Sequence, residues 1–351
     1  MMRSSYKQED VTILLKDISG LVEPQSTEER EKKIQAGAHY SEMLPLEYAP
    51  SSAYMGAYQA ALSAFGRETA EAVAVVAEKI VAEKGDGVVL VSLARAGIPI
   101  GILIKHYIMR RFQIDVPHYA ISIIRGRGID RNAINYILQR HSPRSIQFVD
   151  GWIGKGAILG ELEKDTAEFE GVSAKLAVAA DPANVTDLCG THEDILIPSS
   201  CLNATVSGLV SRTFLRTDLI GPQDFHGAAY YQSMEGQDLS QHFLDAIEAR
   251  FPQAAPPEEP CRLEGRGITE VESIAHRLSI SDINLIKPGI GEATRVLLRR
   301  VPWKILVREG DLDNPRLVHL LRLAEEKDVP VESWPLHNYI ACGVIKNLKD
   351  I

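Results

Sequence analysis

The chain has few cysteines, and none of the arrangements that would make them a structural framework. Cys189, Cys201, Cys261 and Cys342 are spread over 351 residues without a Cys-x-x-Cys pair. Disulfide frameworks and zinc sites depend on such paired spacings. The composition therefore predicts reduced thiols and argues against a disulfide-rich secreted fold.

Long apolar segments and a nucleotide-binding signature are also absent from the sequence. No uncharged apolar run approaches the roughly 18 residues that a membrane helix needs, and the N-terminus lacks the apolar centre of a signal peptide. No Gly-x-x-x-x-Gly-Lys-[Ser/Thr] motif occurs, which excludes the ATPase phosphate loop. We expect a cytoplasmic protein with no membrane partner.

The composition that is present is that of an ordinary globular protein, 45% hydrophobic and 24% charged, and long enough for two or three domains. Residues 262–351 carry 14 Lys/Arg and 13 Asp/Glu, a net +1, whereas residues 1–261 carry 24 and 34, a net −10. The C-terminal part is basic only in comparison with the rest. That distribution permits nucleic-acid binding without demonstrating it.

Apolar runs and helical spacings alternate through the first 200 residues. Strands are predicted over 88–92, 118–124, 146–149, 176–180 and 194–198, and helices over 52–83, 102–112 and 132–139. Repeated strand–loop–helix units form right-handed crossovers and a parallel sheet. The sequence therefore predicts an α/β fold.

A carboxylate and a glycine-rich turn follow the strand at 146–149, formed by Asp150, Gly151, Gly154, Lys155, Gly156 and Ala157. The glycines allow backbone amides to approach an anion, and the following helix start adds a positive dipole. Asp150 suits sugar hydroxyls or a metal, and Lys155 adds charge. The alternative is a purely structural strand-to-helix turn.

Two further loops carry arginine and glycine at strand ends. Arg95, Ala96 and Gly97 follow the strand at 88–92, where a backbone nest and a guanidinium could hold a diphosphate. Arg125 and Arg127 follow the strand at 118–124 in a glycine-rich segment with the composition of a mobile lid. The alternatives are a strand–helix connection with a surface arginine and an exposed basic turn.

Two thiols are candidates for a protease nucleophile. Cys189 lies in Leu-Cys-Gly-Thr-His192, and Cys201 lies in Ser-Ser-Cys-Leu-Asn203. Neither motif matches a known cysteine-protease signature, so we interpret both thiols as buried structural residues. A cysteine protease using Cys189 or Cys201 remains the alternative.

Residues 252–261 divide the chain, because they contain four prolines within nine residues. The first domain is predicted over 1–251, with an N-terminal extension and a hood or lid over 209–251. The second, over 262–351, is predicted to be a small α/β/α sandwich that folds independently. In it, Gly289, Gly291, Glu292 and Arg295 form a glycine turn that opens a helix, which suits RNA phosphate.

Together these motifs resemble a known family. The segments 39–45, 94–99 and 148–156 and the Pelota-like RNA-binding end look like the StiP family of bacterial tellurite-resistance and stress gene clusters. That family carries two labels, cysteine protease and phosphoribosyltransferase-like. The second label implies a type I phosphoribosyltransferase-like fold for the first domain.

The phosphoribosyltransferase label implies a specific chemistry, which we favour from the loops. Phosphoribosyl pyrophosphate (PRPP) would transfer its ribose to a base-like acceptor in a stress-linked pathway. Asp150, Arg125 and Arg127 would be catalytic, residues 151 and 154–157 would bind the 5-phosphate, and residues 95–97 the pyrophosphate. Mg²⁺ would bind through PRPP, with no direct protein ligand.

Departures from the family pattern leave other outcomes open. Gly151 stands where a second acid is usual, and Gly154 and Ala157 replace hydroxyl residues. A non-catalytic PRPP or nucleotide sensor coupled to RNA is therefore a further alternative. The acceptor, the RNA target and a homodimer are left open by the sequence.

Overall fold

Most of the apolar runs in the first 200 residues become strands of one sheet. In this computed structural model, residues 2–257 and 265–346 are described. Up to residue 257 the strands are β1 (Thr12–Ile13), β2 (Lys16–Asp17), β3 (Val89–Ala94), β4 (His118–Ile124), β5 (Gly128–Ile129), β6 (Ile146–Trp152), β7 (Leu176–Ala180), β8 (Cys189–Thr191) and β9 (Gly227–Ala228). The helices are α1 (Thr27–Gln35), α2 (Ser52–Lys84), α3 (Gly97–Phe112), α4 (Arg131–Leu138), α5 (Ala157–Thr166) and α6 (Ser240–Glu248).

The main sheet is parallel along the order β1-β4-β3-β6-β7-β8, and β5 pairs antiparallel with β4. This confirms the predicted α/β class and parallel sheet. The chain places β4 on one side of β3 and β6 on the other, so the topology switches between β3 and β6. Open α/β sheets bind ligands at the carboxyl ends of strands at such a point.

Helices cover both faces of this sheet, which is why its strands are almost continuously apolar. Buried side chains of α2, α3 and α6 pack on one face, and those of α4 and α5 pack on the other. Gly190 marks one close contact, since a Cβ there would lie 2.1 Å from the carbonyl oxygen of Ala72. Helix α2 therefore rests directly on β8.

The C-terminal region forms a second, smaller sheet with helices on both sides. Its elements are α7 (Gly267–Arg277), β10 (Ile286–Pro288), α8 (Ile290–Arg299), β11 (Pro302–Arg308), α9 (Val318–Glu326), β12 (Val331–Trp334) and β13 (Ala341–Ile345). The strand order is β10-β13-β11-β12, with β11 and β12 parallel and the other pairs antiparallel. Helices α8 and α9 cover one face and α7 the other.

The two regions share a hydrophobic core. Ile290, Ala293 and Leu297 of α8 belong to the same buried cluster as the side chains of α2 and α3. Polar contacts add to this packing, since Arg316 pairs with Glu68 at 2.9 Å. The proline-rich composition led us to expect an independently folding tail, whereas the structure buries one face of the tail against the body. Residues 258–261 of the predicted linker, and the predicted domain start at 262, lie outside the described residues.

Two parts of the first region differ from the sequence prediction. The segment 194–198 forms no strand and instead leads into a short 3-10 helix, Pro198–Cys201. Within 209–251, predicted to be a hood or lid, α6 packs its buried Phe243, Leu244 and Ile247 into the core. Among the described residues, no helix combines the length and the apolar composition needed to cross a membrane.

Candidate active site

The turn after β3 lies at the switch point, and its charged group is already paired. An added Cβ at Gly97 would lie 2.6 Å from the carbonyl oxygen of Val149, which explains the glycine. Arg95 donates to Glu47 at 2.7 Å and to the carbonyl of Val210 at 2.9 Å. Ala96 lines an adjoining cavity. The structure thus brings residues 95–97 to the predicted edge of the sheet, with internal acceptors for Arg95.

Asp150, near the end of β6, and Lys155, in the turn after it, also have internal partners. Asp150 accepts a hydrogen bond from the amide of Gly151 at 2.7 Å. Burial raises the pKa of Asp150 to about 7, against the opposing effect of that amide. Lys155 Nζ donates to the carbonyls of Ile283 and Ile286, at 2.9 and 3.1 Å. The ammonium therefore joins the body to the C-terminal region.

The glycines of the same turn face the C-terminal region as well. Tyr339 donates its hydroxyl to the carbonyl of Gly154 at 2.7 Å. Gly156 has φ +86°, a left-handed conformation that favours glycine, and Ala157 begins α5. The tail therefore packs on the turn that was predicted to bind a phosphate.

The predicted lid is a short hairpin between β4 and β5. Arg125 donates to Asn284 at 3.0 Å, and Arg127 donates to Glu42. The hairpin is further held by the amide of Gly126, which donates to Glu161 at 2.9 Å. Both arginines are thus engaged with neighbouring segments.

The turn predicted to contact RNA lies at the junction between the two regions. The amide of Ile290 donates to both oxygens of Asp194, at 3.0 and 3.1 Å, so the anion at the start of α8 is a carboxylate of the body. Burial raises the pKa of Asp194 to about 7. Gly289 has φ +95°, and Gly291 is buried.

The charged residues of that turn form a pair of their own. Arg295 donates to Glu292 at 2.8 Å and lies over the ring of Trp152 at 5.6 Å. The residues that were predicted to contact RNA therefore face the body of the protein.

Two of the described thiols are unsuited to nucleophilic chemistry. Burial raises the pKa of Cys201 to about 12, an effect that Arg299 and Ser200 only partly offset. Burial likewise raises the pKa of Cys342 well above its usual range. Because the thiolate is the reactive form, both cysteines are inert near neutral pH.

A different thiol meets an imidazole where β7 and β8 pair. Cys189 begins β8, His192 follows that strand, and Asp181 follows β7. The Cys189 Sγ lies 3.4 Å from His192 Nε2. On the other side of the ring, His192 Nδ1 lies 2.9 Å from the carbonyl oxygen of Asp181 and 3.7 Å from its Oδ2.

This arrangement determines which ring nitrogen of His192 can act as a base. Both neighbours of Nδ1 are acceptor oxygens, so Nδ1 carries the proton in the neutral ring. The lone pair then lies on Nε2, facing the sulfur of Cys189. Activated cysteine nucleophiles need this tautomer.

Asp181 is itself held by the loop that follows it. Its Oδ2 accepts the amides of Val185 and Thr186, at 2.7 and 2.8 Å. Burial raises the pKa of Asp181, and these hydrogen bonds lower it. Ala183 and Val185 of this loop pack in the same hydrophobic cluster as Cys189, which is only 1% exposed. The loop over 182–187 therefore restricts access to the thiol.

Sequence reasoning named Cys189 and His192 but took the thiol to be structural, and it missed Asp181 as their partner. The available signal was an acid directly after a buried strand, in Ala180-Asp181. Within residues 2–257 and 265–346, no three His, Cys, Asp or Glu side chains are grouped so as to hold a metal ion.

Comparison with known proteins identifies the family. A family profile described as "Tellurite-like stress resistance cysteine protease StiP" matches residues 4–248. The chain belongs to the StiP family. The "Cysteine protease StiP" of Acinetobacter baylyi is 36% identical over 363 aligned residues, which cover 98% of this chain and 94% of that protein. A second profile, the PELOTA RNA binding domain, matches residues 265–347. Both features of the predicted resemblance are thereby confirmed.

The phosphoribosyltransferase interpretation is wrong. The StiP family description and the name of the relative both denote a cysteine protease, and neither names PRPP or a base acceptor. A physical reason is visible in the turn after β6, where Gly154 and Lys155 bind the C-terminal region. The comparisons give no support to the PRPP-sensor alternative and do not test it.

The residue roles that were assigned through PRPP are not tested by these comparisons and stay predictions. These are the catalytic roles of Asp150, Arg125 and Arg127, the 5-phosphate roles of residues 151 and 154–157, and the pyrophosphate role of residues 95–97. Mg²⁺, expected only through PRPP, remains an untested prediction.

Proposed function

We propose that this StiP-family chain is a cysteine peptidase, with Cys189 as nucleophile, His192 as general base and Asp181 as the residue that orients His192. The observation that carries the proposal is the 3.4 Å contact between Cys189 Sγ and His192 Nε2, with Nδ1 directed at Asp181. The family description and the name of the A. baylyi relative support the same chemistry.

The reaction would follow from this geometry. His192 Nε2 takes the thiol proton, and the sulfur attacks the peptide carbonyl carbon to form a tetrahedral intermediate. Its collapse breaks the C–N bond, and the imidazolium returns the proton to the leaving amine. Water, deprotonated by His192, then hydrolyses the thioester and restores the thiol. Because Cys189 is 1% exposed, substrate has to displace the 182–187 loop to reach the sulfur.

Substitution of the three described thiols tests this proposal. Cys189→Ala should lower kcat/KM for peptide cleavage by about 1,000-fold or more, since the nucleophile is lost. Cys201→Ala and Cys342→Ala are the matched controls. Each of them, if it folds, should cleave peptide at the wild-type rate, because neither thiol is reactive. Full cleavage by a folded Cys189→Ala variant would remove Cys189 from the mechanism.

RNA binding by the C-terminal region is the second function that we propose. The match of residues 265–347 to the PELOTA RNA binding domain supports it. We also propose the domain limits 1–251 and 262–351, with a linker over 252–261. The two family matches, which fall on either side of that linker, are compatible with these limits.

Finer features of fold and location are proposals of the same kind. The switch between β3 and β6 supports a phosphoribosyltransferase-like fold for the first region, without that chemistry. Reduced thiols at Cys189, Cys201 and Cys342 support a reducing, cytoplasmic location. The family description supports a role in tellurite or stress resistance.

A further inference from the structure

A cavity rich in arginine lies between the parallel-sheet body and the C-terminal region. It opens to solvent and has a volume of about 40 Å³, and its lining includes Arg95, Trp152, Ser200, Arg295 and Arg299. Arg95 and Trp152 belong to the strand ends at the switch between β3 and β6, and the other two arginines belong to α8. Cys189 is not part of this lining, so the cavity is distinct from the proposed peptidase site.

Two of the arginines at the cavity have carboxylate partners. Arg95 pairs with Glu47 at 2.7 Å, and both side chains are largely buried. Arg295 pairs with Glu292 at 2.8 Å. Within each pair, the carboxylate neutralises the charge of its arginine.

Two more arginines add positive charge without forming an ion pair, although the charge of Glu47 acts on both. Arg299 donates to the carbonyl of Leu202, a neutral acceptor. Arg212 lies close enough to Arg95 and Arg295 for their charges to act on it. Across residues 2–257 and 265–346, neither Arg212 nor Arg299 has a carboxylate within ion-pair distance.

The energetic effect of this excess charge is visible in the guanidinium groups. Burial and repulsion from Arg95 and Arg295 lower the pKa of Arg212 to about 9. The same causes, burial followed by repulsion, lower the pKa of Arg299 to about 10. Like charges gathered without counter-charges destabilise the folded chain unless an anion binds among them.

A hydroxyl group supplies a second, independent sign of a ligand. Ser200 is 5% exposed, and its Oγ is buried. It interacts with the Cys201 thiol, a weak hydrogen-bonding group, and no other group in the described parts of the chain meets hydrogen-bond geometry with it. Buried polar atoms normally have partners, so an unsatisfied hydroxyl on a cavity wall is a place for a ligand atom.

We propose that this cavity binds the phosphate group of a ligand, with Arg299 on its lining as the binding cation, Arg212 near Arg95 and Arg295 adding to the positive charge, and Ser200 supplying a hydrogen bond. Two arginines that form no ion pair match the roughly two negative charges of a phosphate monoester at neutral pH. Guanidinium groups bind such oxygens in bidentate geometry. The site is independent of the proposed thiol chemistry, and Arg212, Arg299 and Ser200 were not among the residues predicted from sequence.

Inorganic phosphate tests the site in the full-length chain. At about ten times its Kd, phosphate should raise the Tm by about 2–4 °C over sodium chloride of equal ionic strength. Arg212→Gln and Arg299→Gln should lose at least half of that shift, whereas the surface control Arg322→Gln, which loses only a pair with Glu326, should retain it. An absent shift in the wild type, or an undiminished shift in both variants, would overturn the proposal.

Baseline stability separates ligand binding from a structural role of Arg212. Without phosphate, Arg212→Gln should have a higher Tm than the wild type, because it removes repulsion; a purely structural arginine would give a lower one. If the arginine variants do not fold, Ser200→Ala tests the site instead, because it removes only the hydroxyl group. This variant should bind phosphate several-fold more weakly than the wild type, while its Tm without phosphate should be unchanged. Wild-type phosphate affinity in Ser200→Ala would also overturn the site.

Two sources of the phosphate can then be separated by competition. If the ligand is an RNA end, a 5′-phosphorylated oligoribonucleotide should compete with phosphate at least tenfold better than its 5′-hydroxyl form and better than a nucleoside monophosphate. If it is a small molecule, the monophosphate should compete as well as the phosphorylated RNA. Either result upholds the site and identifies the source, whereas equal competition by the 5′-hydroxyl RNA contradicts it.

Discussion

His106, in α3, lies between two carboxylates. Its Nε2 bonds to Asp10 at 2.8 Å and its Nδ1 to Glu248 at 2.7 Å. Burial alone would lower the pKa of His106, but these two hydrogen bonds outweigh it and raise the pKa to about 9. The imidazolium thus joins the N-terminal segment to α6.

The pKa of His106 predicts a pH-dependent contribution to stability. A folded pKa above the unfolded one means that the stabilisation is full below about pH 6.5 and is lost as the pH rises through about 9. His106→Gln should therefore lower the free energy of unfolding by about 3 kcal/mol at pH 6 and by far less at pH 10. Urea titrations at both values measure this, with the exposed His276→Gln as control. An equal loss at both values would contradict the assigned charge.

The proposed catalytic residues show what single residues reveal before a structure exists. Cys189 and His192 are three positions apart, so their proximity was visible in the sequence. Their orientation was not, because it depends on Asp181, which reaches them only through the pairing of β7 with β8. Burial, which separates reactive from inert thiols, also depends on the assembled core.

At the scale of elements, the contact between α2 and β8 sets the position of the proposed nucleophile. Gly190 follows Cys189 directly, and its backbone meets α2 at Ala72. The Cys189 side chain lies on the opposite face of β8, in the hydrophobic cluster that includes side chains of α4 and α5. A shift of β8 away from α2 would therefore move Cys189 relative to His192.

Gly190→Ala should lower the free energy of unfolding by about 2–3 kcal/mol and reduce peptide cleavage, because the added methyl group displaces β8. Gly160→Ala is the matched control in α5, where nothing lies within 4 Å of an added Cβ. That change should stabilise the protein by about 0.5–1 kcal/mol. Urea unfolding of both variants measures the difference, and equal stability would show that α2 does not hold β8.

Elements with long, uniform patterns were predictable from sequence, and short ones were not. Strands at 118–124 and 176–180 have the predicted limits, and the predicted helix at 52–83 corresponds to Ser52–Lys84. Strand β8 was missed because Cys-Gly-Thr is too short to show a period. The apolar run at 194–198 looked like a strand, yet its Asp194 caps α8 instead.

At the scale of the whole molecule, the distribution of charge limits the number of phosphate contacts in the proposed RNA binding. The chain has a net charge of −9, and only its C-terminal part is close to neutral. Because the chain has little excess positive charge, RNA binding should involve few phosphate contacts and rely on RNA shape. The packing of α8 on the body also means that RNA has to approach the C-terminal region from its outer surfaces.

Raising salt from 50 to 200 mM should weaken RNA binding by the full-length chain by about tenfold, as expected for two or three released counterions. Folded, kinked RNA should bind more tightly than plain duplex of equal length. Filter binding at both salt concentrations measures the slope and the preference. Binding that does not change with salt, or none at low salt, would make the C-terminal region a structural module.

The core shared by the two regions has a consequence for how the protein can evolve. Ile290, Ala293 and Leu297 of α8 pack in one cluster with side chains of α2 and α3. A change in side-chain volume in one region therefore requires a compensating change in the other. A lineage could not replace the C-terminal region with an unrelated copy from elsewhere without changing this shared packing. The two regions are therefore expected to change together, as neighbouring positions within a single domain do.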